Sequence, residues 1–128
     1  MFLVMAKLNE LIDSFPPLLH LTYILQQVSD EILLEEVGVG LSQTRIMSVL
    51  HSSVPRSQKA VSVYLSQTEA NVSRQLKTMK KQGLVSITKN KKDSRQRDVL
   101  LTRSGSARYA KAEKILIGQQ TRFLKLLS

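Results

Sequence analysis

The sequence predicts a mostly α-helical fold that carries one small β-hairpin. Apolar residues recur at the three- and four-residue steps of an amphipathic helix through most of the chain. One stretch, 84–102, instead alternates apolar and polar residues on either side of a polar loop, as a hairpin does. Three short helical segments come directly before this hairpin. A longer helical segment lies on each side of this central part of the chain. We therefore expect a winged helix-turn-helix between two terminal helices.

The first long helix is predicted to begin at Pro16 and Pro17, since proline suits the first turn of a helix. Its apolar stripe has a heptad-like spacing. The stripe consists of Leu18, Leu21, Leu25, Val28 and Ile32, and it is widened by Ile24 and Leu33. The preceding segment, 1–15, is predicted to be a short amphipathic helix rather than a signal peptide, because Lys7 and acids follow its apolar start and no small-residue cleavage pattern appears.

Three short helices are predicted between the turn at 38–40 and the hairpin. Ser42, Ser57 and Thr68 are their expected N-caps, because a side-chain oxygen there can accept from a free backbone N–H. The inward residues are Ile46, Val49 and Leu50 in the first helix, Val61 and Leu65 in the second, and Val72, Leu76 and Met79 in the third. Gly83 is expected to end the third helix at its C′ position.

A final helix is predicted after the hairpin, with Thr102 as its cap and Tyr109, Ala112, Leu116, Phe123 and Leu127 as its apolar seam. The apolar stripes of the first and last long helices contain more apolar residues than a small central core can bury. We therefore expect two copies of the chain to pack through these stripes. The dimer contacts are predicted at Leu18, Leu21, Leu25, Tyr109, Leu116, Phe123 and Leu127. The chain is thus expected to be a single domain, 1–128, with a dimerisation region at 1–40 and 103–128 and a winged-helix lobe at 41–102.

The formal net charge of +9 is unevenly distributed along the 128 residues. Residues 1–40 hold one base against six acids, a net charge of −5, whereas residues 41–128 hold 18 bases against four acids, a net charge of +14. Such polarity points to a polyanion that meets one part of the molecule. The alternative is a basic surface that only keeps the protein in solution. That alternative explains a high net charge, but it explains less well why the basic residues are clustered.

The basic cluster lies on the third short helix, 68–82, and on the hairpin beside it. Between 67 and 103 there are ten bases and three acids. In a helix-turn-helix the second helix enters the DNA major groove with its first turn at the base edges, and a loop of Lys and Arg suits the minor groove. Asn71 is the best candidate for reading adenine, and Arg74 can reach a guanine edge or a phosphate. Glu69 either favours the positive end of the helix dipole or accepts from cytosine.

The expected DNA contacts are therefore shared between helix and wing. On and near the helix they are Ser57, Thr68, Ala70, Asn71, Ser73, Arg74 and Lys77, and in the wing, 89–97, they are Lys89, Lys91, Lys92, Asp93, Arg95 and Arg97. Lys77 is expected to contact the phosphate backbone only.

The sequence NVSRQLKTMKKQGLV followed by DSRQRDVLLTRSG resembles the MarR family of transcription regulators. The family pattern, V-S-R-x-L-x-x-L-x-x-x-G-L-V, then D-x-R, then L-T-x-x-G, is met at Val72, Ser73, Arg74, Leu76, Met79 (in place of Leu), Gly83, Leu84, Val85, Asp93, Arg95, Leu101, Thr102 and Gly105. The resemblance spans about 17–120. It implies a homodimer, joined through the first and last helices, that binds a pseudo-palindromic operator as a repressor. It also implies that Arg95 enters the minor groove, that Asp93 holds it, and that a small aromatic effector binds near Tyr23, Tyr64 or Tyr109; simple packing explains these tyrosines equally well.

Other classes of function have less support. The chain has no cysteine, which excludes disulfides, thiolate zinc sites and thiol sensing and fits a cytoplasmic location. His20 and His51 have no ligand-spaced partner, the acids at 30–36 suit a solvated face, and no catalytic grouping appears, so we expect neither an enzyme nor a cofactor. No run is long enough to cross a membrane. The remaining alternative is a winged-helix module that binds an acidic protein and reads no DNA sequence.

Overall fold

The computed structural model describes Phe2, Ala6 and residues 16–52 and 54–127. The helix predicted over 1–15 therefore lies almost wholly outside the described residues. Internal contacts divide the chain into two compact units, Met1–Leu41 and Ser42–Ser128. Each unit is described in turn. The described helices include none that is long and apolar enough to span a bilayer.

The first unit is dominated by helix α1, Pro17–Glu36, which begins at the predicted prolines. Its buried apolar side chains are Ile24 and Leu33, whereas Leu18 is 71% exposed. The helix ends where the N–H of Gly38, a residue with a φ of 79°, donates to the carbonyl of Leu33 at 3.0 Å. The turn predicted at 38–40 is thus present.

One acidic residue of α1 has a structural task that the sequence did not reveal. The Asp30 carboxylate accepts a hydrogen bond from the backbone N–H of Leu41 at 2.8 Å and is only half-exposed. The expectation that this residue belongs to a simple solvated face is therefore wrong. Asp30 satisfies one of the free N–H groups at the start of the next helix.

The second unit is a winged helix followed by a long helix. In chain order its elements are α2 (Leu41–Leu50), β1 (Arg56–Ser57), α3 (Gln58–Leu65), α4 (Glu69–Lys81), β2 (Val85–Lys89), β3 (Arg97–Leu101) and α5 (Arg103–Leu127). The predicted mostly helical fold with a hairpin wing is confirmed. The wing loop proper is the segment 90–96, between the two long strands.

The sheet has three antiparallel strands in the order β1-β3-β2. Val85 pairs with Leu101 and Lys89 with Arg97, so the predicted hairpin is present. Its first strand has the expected alternation, with Val85 buried and Ser86 exposed. Strand β1 was not predicted. Two residues are too short to show an alternating pattern, and β1 is defined only by its pairing of Arg56 with Val99, far along the chain.

The predicted caps of α3, α4 and α5 are confirmed. Ser57, Thr68 and Thr102 accept from the N–H groups of Ala60, Asn71 and Gly105 at 3.0, 3.1 and 3.0 Å. The prediction for Ser42 is wrong. Helix α2 begins one residue before it, and the Ser42 hydroxyl instead donates to Gln75 Oε1 at 2.7 Å.

The core of the second unit is formed by side chains from its helices and its sheet. The residues with no exposed surface include Ile46, Met47, Val61, Val72, Leu76, Met79, Leu84, Val99 and Ala112. The inward stripe predicted for α4 is buried in full, whereas Leu65 of α3 is only partly buried. The turn between α3 and α4 contains Ser66 in the left-handed region, with a φ of 54°.

The end of α4 is fixed to the start of α5. Gly83, with a φ of 75°, donates to the carbonyl of Lys80, and Leu84 donates to that of Met79, which is a Schellman ending. The Thr102 hydroxyl then donates to the Gly83 carbonyl at 2.6 Å, while the Thr102 N–H donates to Leu84 at 3.0 Å. These bonds set the direction in which α5 leaves the wing.

Candidate nucleic-acid interface

Helix α4 buries one face and exposes a basic one. Val72, Leu76 and Met79 are fully buried, which fixes the rotation of the helix about its axis. Arg74 and Lys77 lie on the exposed side. The cationic stripe predicted from the sequence is therefore presented to solvent by the packing of the apolar stripe.

A groove of about 530 Å³ lies between this helix, the start of α3 and the wing. Its walls are Ser57, Gln58, Lys59, Glu69, Ala70, Ser73, Arg95, Gln96 and Arg97. Three bases and one acid are present among these nine residues. The groove therefore combines positive charge with polar side chains and is suited to an anion.

Two helix amino ends meet in this groove. Ser57 and Gln58 are the N-cap and first residue of α3, and Glu69 and Ala70 are the first two residues of α4. Free N–H groups and the helix dipole make such ends favourable to negative charge. A phosphodiester backbone, with an anionic oxygen at each step, is the kind of ligand that this arrangement fits.

The wing opposite these helix ends is held in shape by Asn90. Its Oδ1 accepts from the N–H groups of Lys92 and Asp93 at 2.8 and 3.0 Å, and its Nδ2 donates to the Asp98 carboxylate at 3.0 and 3.2 Å. The backbone of Gln96 is bonded on both sides, to Asn90 and Asp93. The polar loop is thus an ordered turn.

Arg95 projects from this turn, with 92% of its side chain exposed. Asp93 Oδ1 accepts from the Arg95 backbone N–H at 3.0 Å and lies 3.5 Å from its Nε. The backbone bond is the firmer of the two, because 3.5 Å is at the limit for a hydrogen bond. Asp93 therefore holds the Arg95 backbone and touches one edge of the guanidinium, rather than gripping it by a two-pronged contact.

Side chains at the start of α4 form a hydrogen-bonded network. The Arg74 guanidinium donates from Nη2 to Asn71 Oδ1 at 2.9 Å, and Asn71 Nδ2 donates to Gln67 Oε1 at 3.0 Å. Gln75 Nε2 also donates to Gln67 Oε1, at 3.2 Å. Asn71, the residue predicted to read adenine, thus has a hydrogen-bond partner within the protein at each end of its amide.

The structure brings five of the predicted DNA-contacting residues together in the groove: Ser57, Ala70, Ser73, Arg95 and Arg97. The other eight lie at the surface but do not line it: Thr68, Asn71, Arg74, Lys77, Lys89, Lys91, Lys92 and Asp93. Gln58, Lys59 and Gln96 line the groove and were not predicted. The N-cap signal at Ser57 could have identified Gln58 and Lys59, since they occupy the first turn of the helix it caps.

The residues predicted at a dimer contact differ in exposure. Leu18 is largely exposed, and Leu21, Leu25, Tyr109 and Leu116 are partly so, whereas Phe123 is only 9% exposed within the single chain. The side chain of Leu127 lies outside the described part. Exposed leucines and isoleucines that were not predicted are Leu19 and Leu34 on α1 and Ile117, Leu124 and Leu126 on α5. The homodimer itself stays a prediction.

The tyrosines predicted near an effector have different surroundings. Tyr23 and Tyr64 are 57% and 75% exposed. Tyr109 is partly buried, and its ring centroid lies 5.4 Å from that of His51. Burial, followed by the hydrogen bond and the charge of Glu113, raises the pKa of Tyr109 to about 12. The effector stays a prediction.

With the geometry established, the chain can be compared with known proteins. The sequence model of the MarR family matches residues 37–96, which include α2, α3, α4 and most of the wing. Its winged helix is thus similar to that of the MarR family. The search of curated proteins gave no match.

Solved structures of MarR-family regulators are similar to this chain. A MarR/EmrR-family regulator from Acinetobacter sp. ADP1 superposes with a TM-score of 0.72 at 27% identity, over 82% of this chain and 74% of that one. The S. aureus MepR–DNA complex has a TM-score of 0.76 at 20% identity, over 84% and 79% of the chains. The repressor CouR bound to a 23-mer DNA duplex gives 0.72 at 24% identity, over 85% and 80%. The latter two show the shared fold.

Proposed function

We propose that this protein is a sequence-specific regulator of transcription that binds double-stranded DNA, with α4 in the major groove and the wing, 89–97, in the adjacent minor groove. The observation that carries the proposal is the groove in which the amino ends of α3 and α4 face Arg95 and Arg97. It also rests on the MarR-family winged helix. MepR and CouR, which share the fold, have been solved with DNA.

In this proposal, three of the residues that line the groove have distinct roles. Ser57 and Ser73 can donate to phosphate oxygens, and the two helix ends stabilise the same charge. Arg95 extends into solvent beyond the groove, where a minor groove can receive a guanidinium. The phosphate backbone between the two DNA grooves would then lie in the protein groove, between helix and wing.

A homodimeric repressor is the assembly that we propose. Two copies would place their α4 helices about 34 Å apart, one turn of DNA, on a pseudo-palindromic operator. The exposed apolar residues of α1 and of α5 support a contact between copies, since large exposed apolar surfaces mark interfaces. A cytoplasmic location and the lack of enzymatic activity are part of the same proposal.

The first experiment measures affinity for duplex DNA against salt concentration. If the protein makes about six to ten phosphate contacts, affinity should fall by roughly three to five decades between 50 and 200 mM salt through counterion release. A duplex enriched from a random pool should bind on the order of 4–10 kcal/mol more tightly than random DNA. The enriched sequence would also report symmetry and half-site spacing.

The same experiment separates this proposal from a protein-interaction module. A module that reads no DNA sequence would enrich no duplex from the pool, whatever its general affinity for polyanions. Enrichment of a symmetric sequence contradicts the module. No enrichment over a range of salt concentrations contradicts sequence-specific binding.

A further inference from the structure

We infer that Asn71 is a positioning residue, which orients Arg74 for a guanine edge and does not itself read a base. The inference rests on the proposed function and specifies how its recognition helix chooses a base. It departs from the simpler expectation, drawn from sequence, that the Asn71 amide pairs with adenine.

The donor and acceptor chemistry of the network permits one orientation of each amide. An arginine side chain has donors and no acceptor, so the atom of Asn71 that faces Arg74 at 2.9 Å must be Oδ1. Asn71 Nδ2 then faces Gln67, whose side-chain acceptor is Oε1, at 3.0 Å. The amide of Asn71 is therefore held by a partner at each end.

The network continues to a neighbouring helix. Gln67 Oε1 also accepts from Gln75 Nε2, which turns Gln75 Oε1 towards the Ser42 hydroxyl on α2, 2.7 Å away. The four hydrogen bonds converge on Gln67 Oε1 from two sides, one pair through Asn71 and the other through Gln75, with no donor facing a donor. Such a network is mutually consistent, and its members support one another.

The network is attached to the backbone of the helix-turn-helix at Gln67. The Gln67 N–H donates to the Ser62 carbonyl at 3.0 Å, directly after Ser66 takes its left-handed conformation. Gln67 and Asn71 are half-buried, whereas Arg74 is exposed. The fixed end of the network is thus the turn, and its free end is the guanidinium.

The arrangement commits one N–H and one oxygen lone pair of Asn71 to neighbours within the protein, and it leaves most donors of the exposed Arg74 free for a base. Only one N–H and one lone pair of Asn71 remain, and they can pair with adenine only if both face the same base edge while the bonds to Gln67 and Arg74 are kept. Arg74 uses one N–H of Nη2 for Asn71, and the other donors of its guanidinium remain available for guanine O6 and N7. Orientation before binding also lowers the entropy lost on binding.

The test begins with the duplex that the wild-type protein enriches from a random pool. Each base pair of one half-site is then changed in turn, and affinities are measured for wild type, Arg74→Ala, Asn71→Ala and Asn71→Asp. We expect wild type to prefer G–C at one position by about 5- to 150-fold. Arg74→Ala should remove that preference, and Asn71→Ala should weaken it at the same position.

Asn71→Asp is the deciding variant. A carboxylate still accepts from Arg74 but cannot donate to adenine N7. We expect it to keep the G–C preference while its added charge lowers affinity for all duplexes. Loss in Asn71→Ala or Asn71→Asp of a preference for A–T at another position, with the G–C preference intact, would overturn the inference and show that Asn71 reads a base.

Gln67→Met supplies an independent measurement, because it removes the acceptor that holds Asn71 without touching the exposed residues. It should reduce the same G–C preference. In the protein without DNA, Gln67→Met and Asn71→Ala should each increase the motion of the Arg74 side-chain N–H groups, as measured by NMR relaxation. Unchanged motion would contradict the inference.

The outcomes also separate the inference from the proposed function. If the wild-type protein enriches no duplex, the proposed function fails and the inference fails with it. If it enriches a duplex but Asn71→Ala and Gln67→Met keep the same G–C preference, only the inference fails.

Discussion

A β-carbon at position 105 would overlap the backbone carbonyl oxygen of Leu84. Gly105 lies in the first turn of α5, and Leu84 follows the Schellman ending of α4. The close approach is therefore the point at which α4 and α5 are joined. This gives a physical reason for the glycine that follows the Leu-Thr pair in the motif that resembles the MarR pattern.

Gly105→Ala is expected to destabilise the protein by about 3 kcal/mol or more, because a backbone oxygen cannot move aside as a side chain can. Urea denaturation measures the free energy of unfolding. Gly118→Ala is the matched control in the same helix, since nothing lies within 4 Å of its added β-carbon. It should be stabilising by about 1 kcal/mol through helix propensity. Equal effects for the two variants would contradict the proposed contact.

Asn90→Ala is expected to loosen the wing without unfolding the protein. The N–H groups of Lys92 and Asp93 lose their acceptor, so their hydrogen exchange should become faster. DNA affinity should fall by about three- to tenfold, since the loop must then be ordered on binding at the cost of about 1 kcal/mol or more. Ser94→Ala in the same loop is the control, and an equal loss of affinity there would refute the role of Asn90.

Arg95→Ala is expected to weaken operator binding by about 1–3 kcal/mol, as for other specific arginine contacts, and to lower the salt slope by about one. Lys114→Ala removes the same charge from the exposed surface of α5 and should change affinity by about twofold or less. Fluorescence anisotropy over a salt series measures both quantities. If the two variants lose the same affinity, Arg95 contributes only general charge and its placement in the minor groove is wrong.

Stability at high pH should depend on Tyr109. Its pKa is raised from 10.0 to about 12, so the folded state favours the neutral phenol. The resulting stability is fully present below pH 10 and is lost as the pH rises through about 12. The difference in unfolding free energy between wild type and Tyr109→Phe should therefore change over this window. A difference that is constant from about pH 9, roughly one unit below the ordinary pKa, up to the raised value of about 12 would contradict the environment of Tyr109.

The features that the sequence predicted correctly are mainly local ones. The buried stripe of α4, its Thr68 cap and its Gly83 ending each depend on residues within a few positions, so spacing and residue type determine them. The hairpin followed from the alternation around Val85. The family motif added the expectation that Arg95 enters the minor groove and that Asp93 holds it, which spacing alone does not contain.

The features that the sequence did not predict depend on contacts between distant residues. Strand β1 exists only through its pairing with β3, and Asp30 supports α2 from eleven residues before its partner N–H. In the sequence, Gln58 and Lys59 are ordinary residues in the first turn of a helix. They line the groove only because the folded chain places the wing opposite them. The hydrogen bond of the Asn71 amide likewise requires Gln67, which lies in the preceding turn.

The absence of cysteine from the chain permits the most direct test of the central claim, that α4 and the wing contact neighbouring grooves of one duplex. Single-cysteine variants Ala70→Cys and Gln96→Cys can each carry a DNA-cleaving reagent, because no native thiol competes. On the enriched duplex, each variant should cut at a discrete place, and the two places should lie about half a helical turn apart, on the order of five base pairs. Diffuse cutting by either variant, or cuts separated by more than a full turn, would contradict the claim.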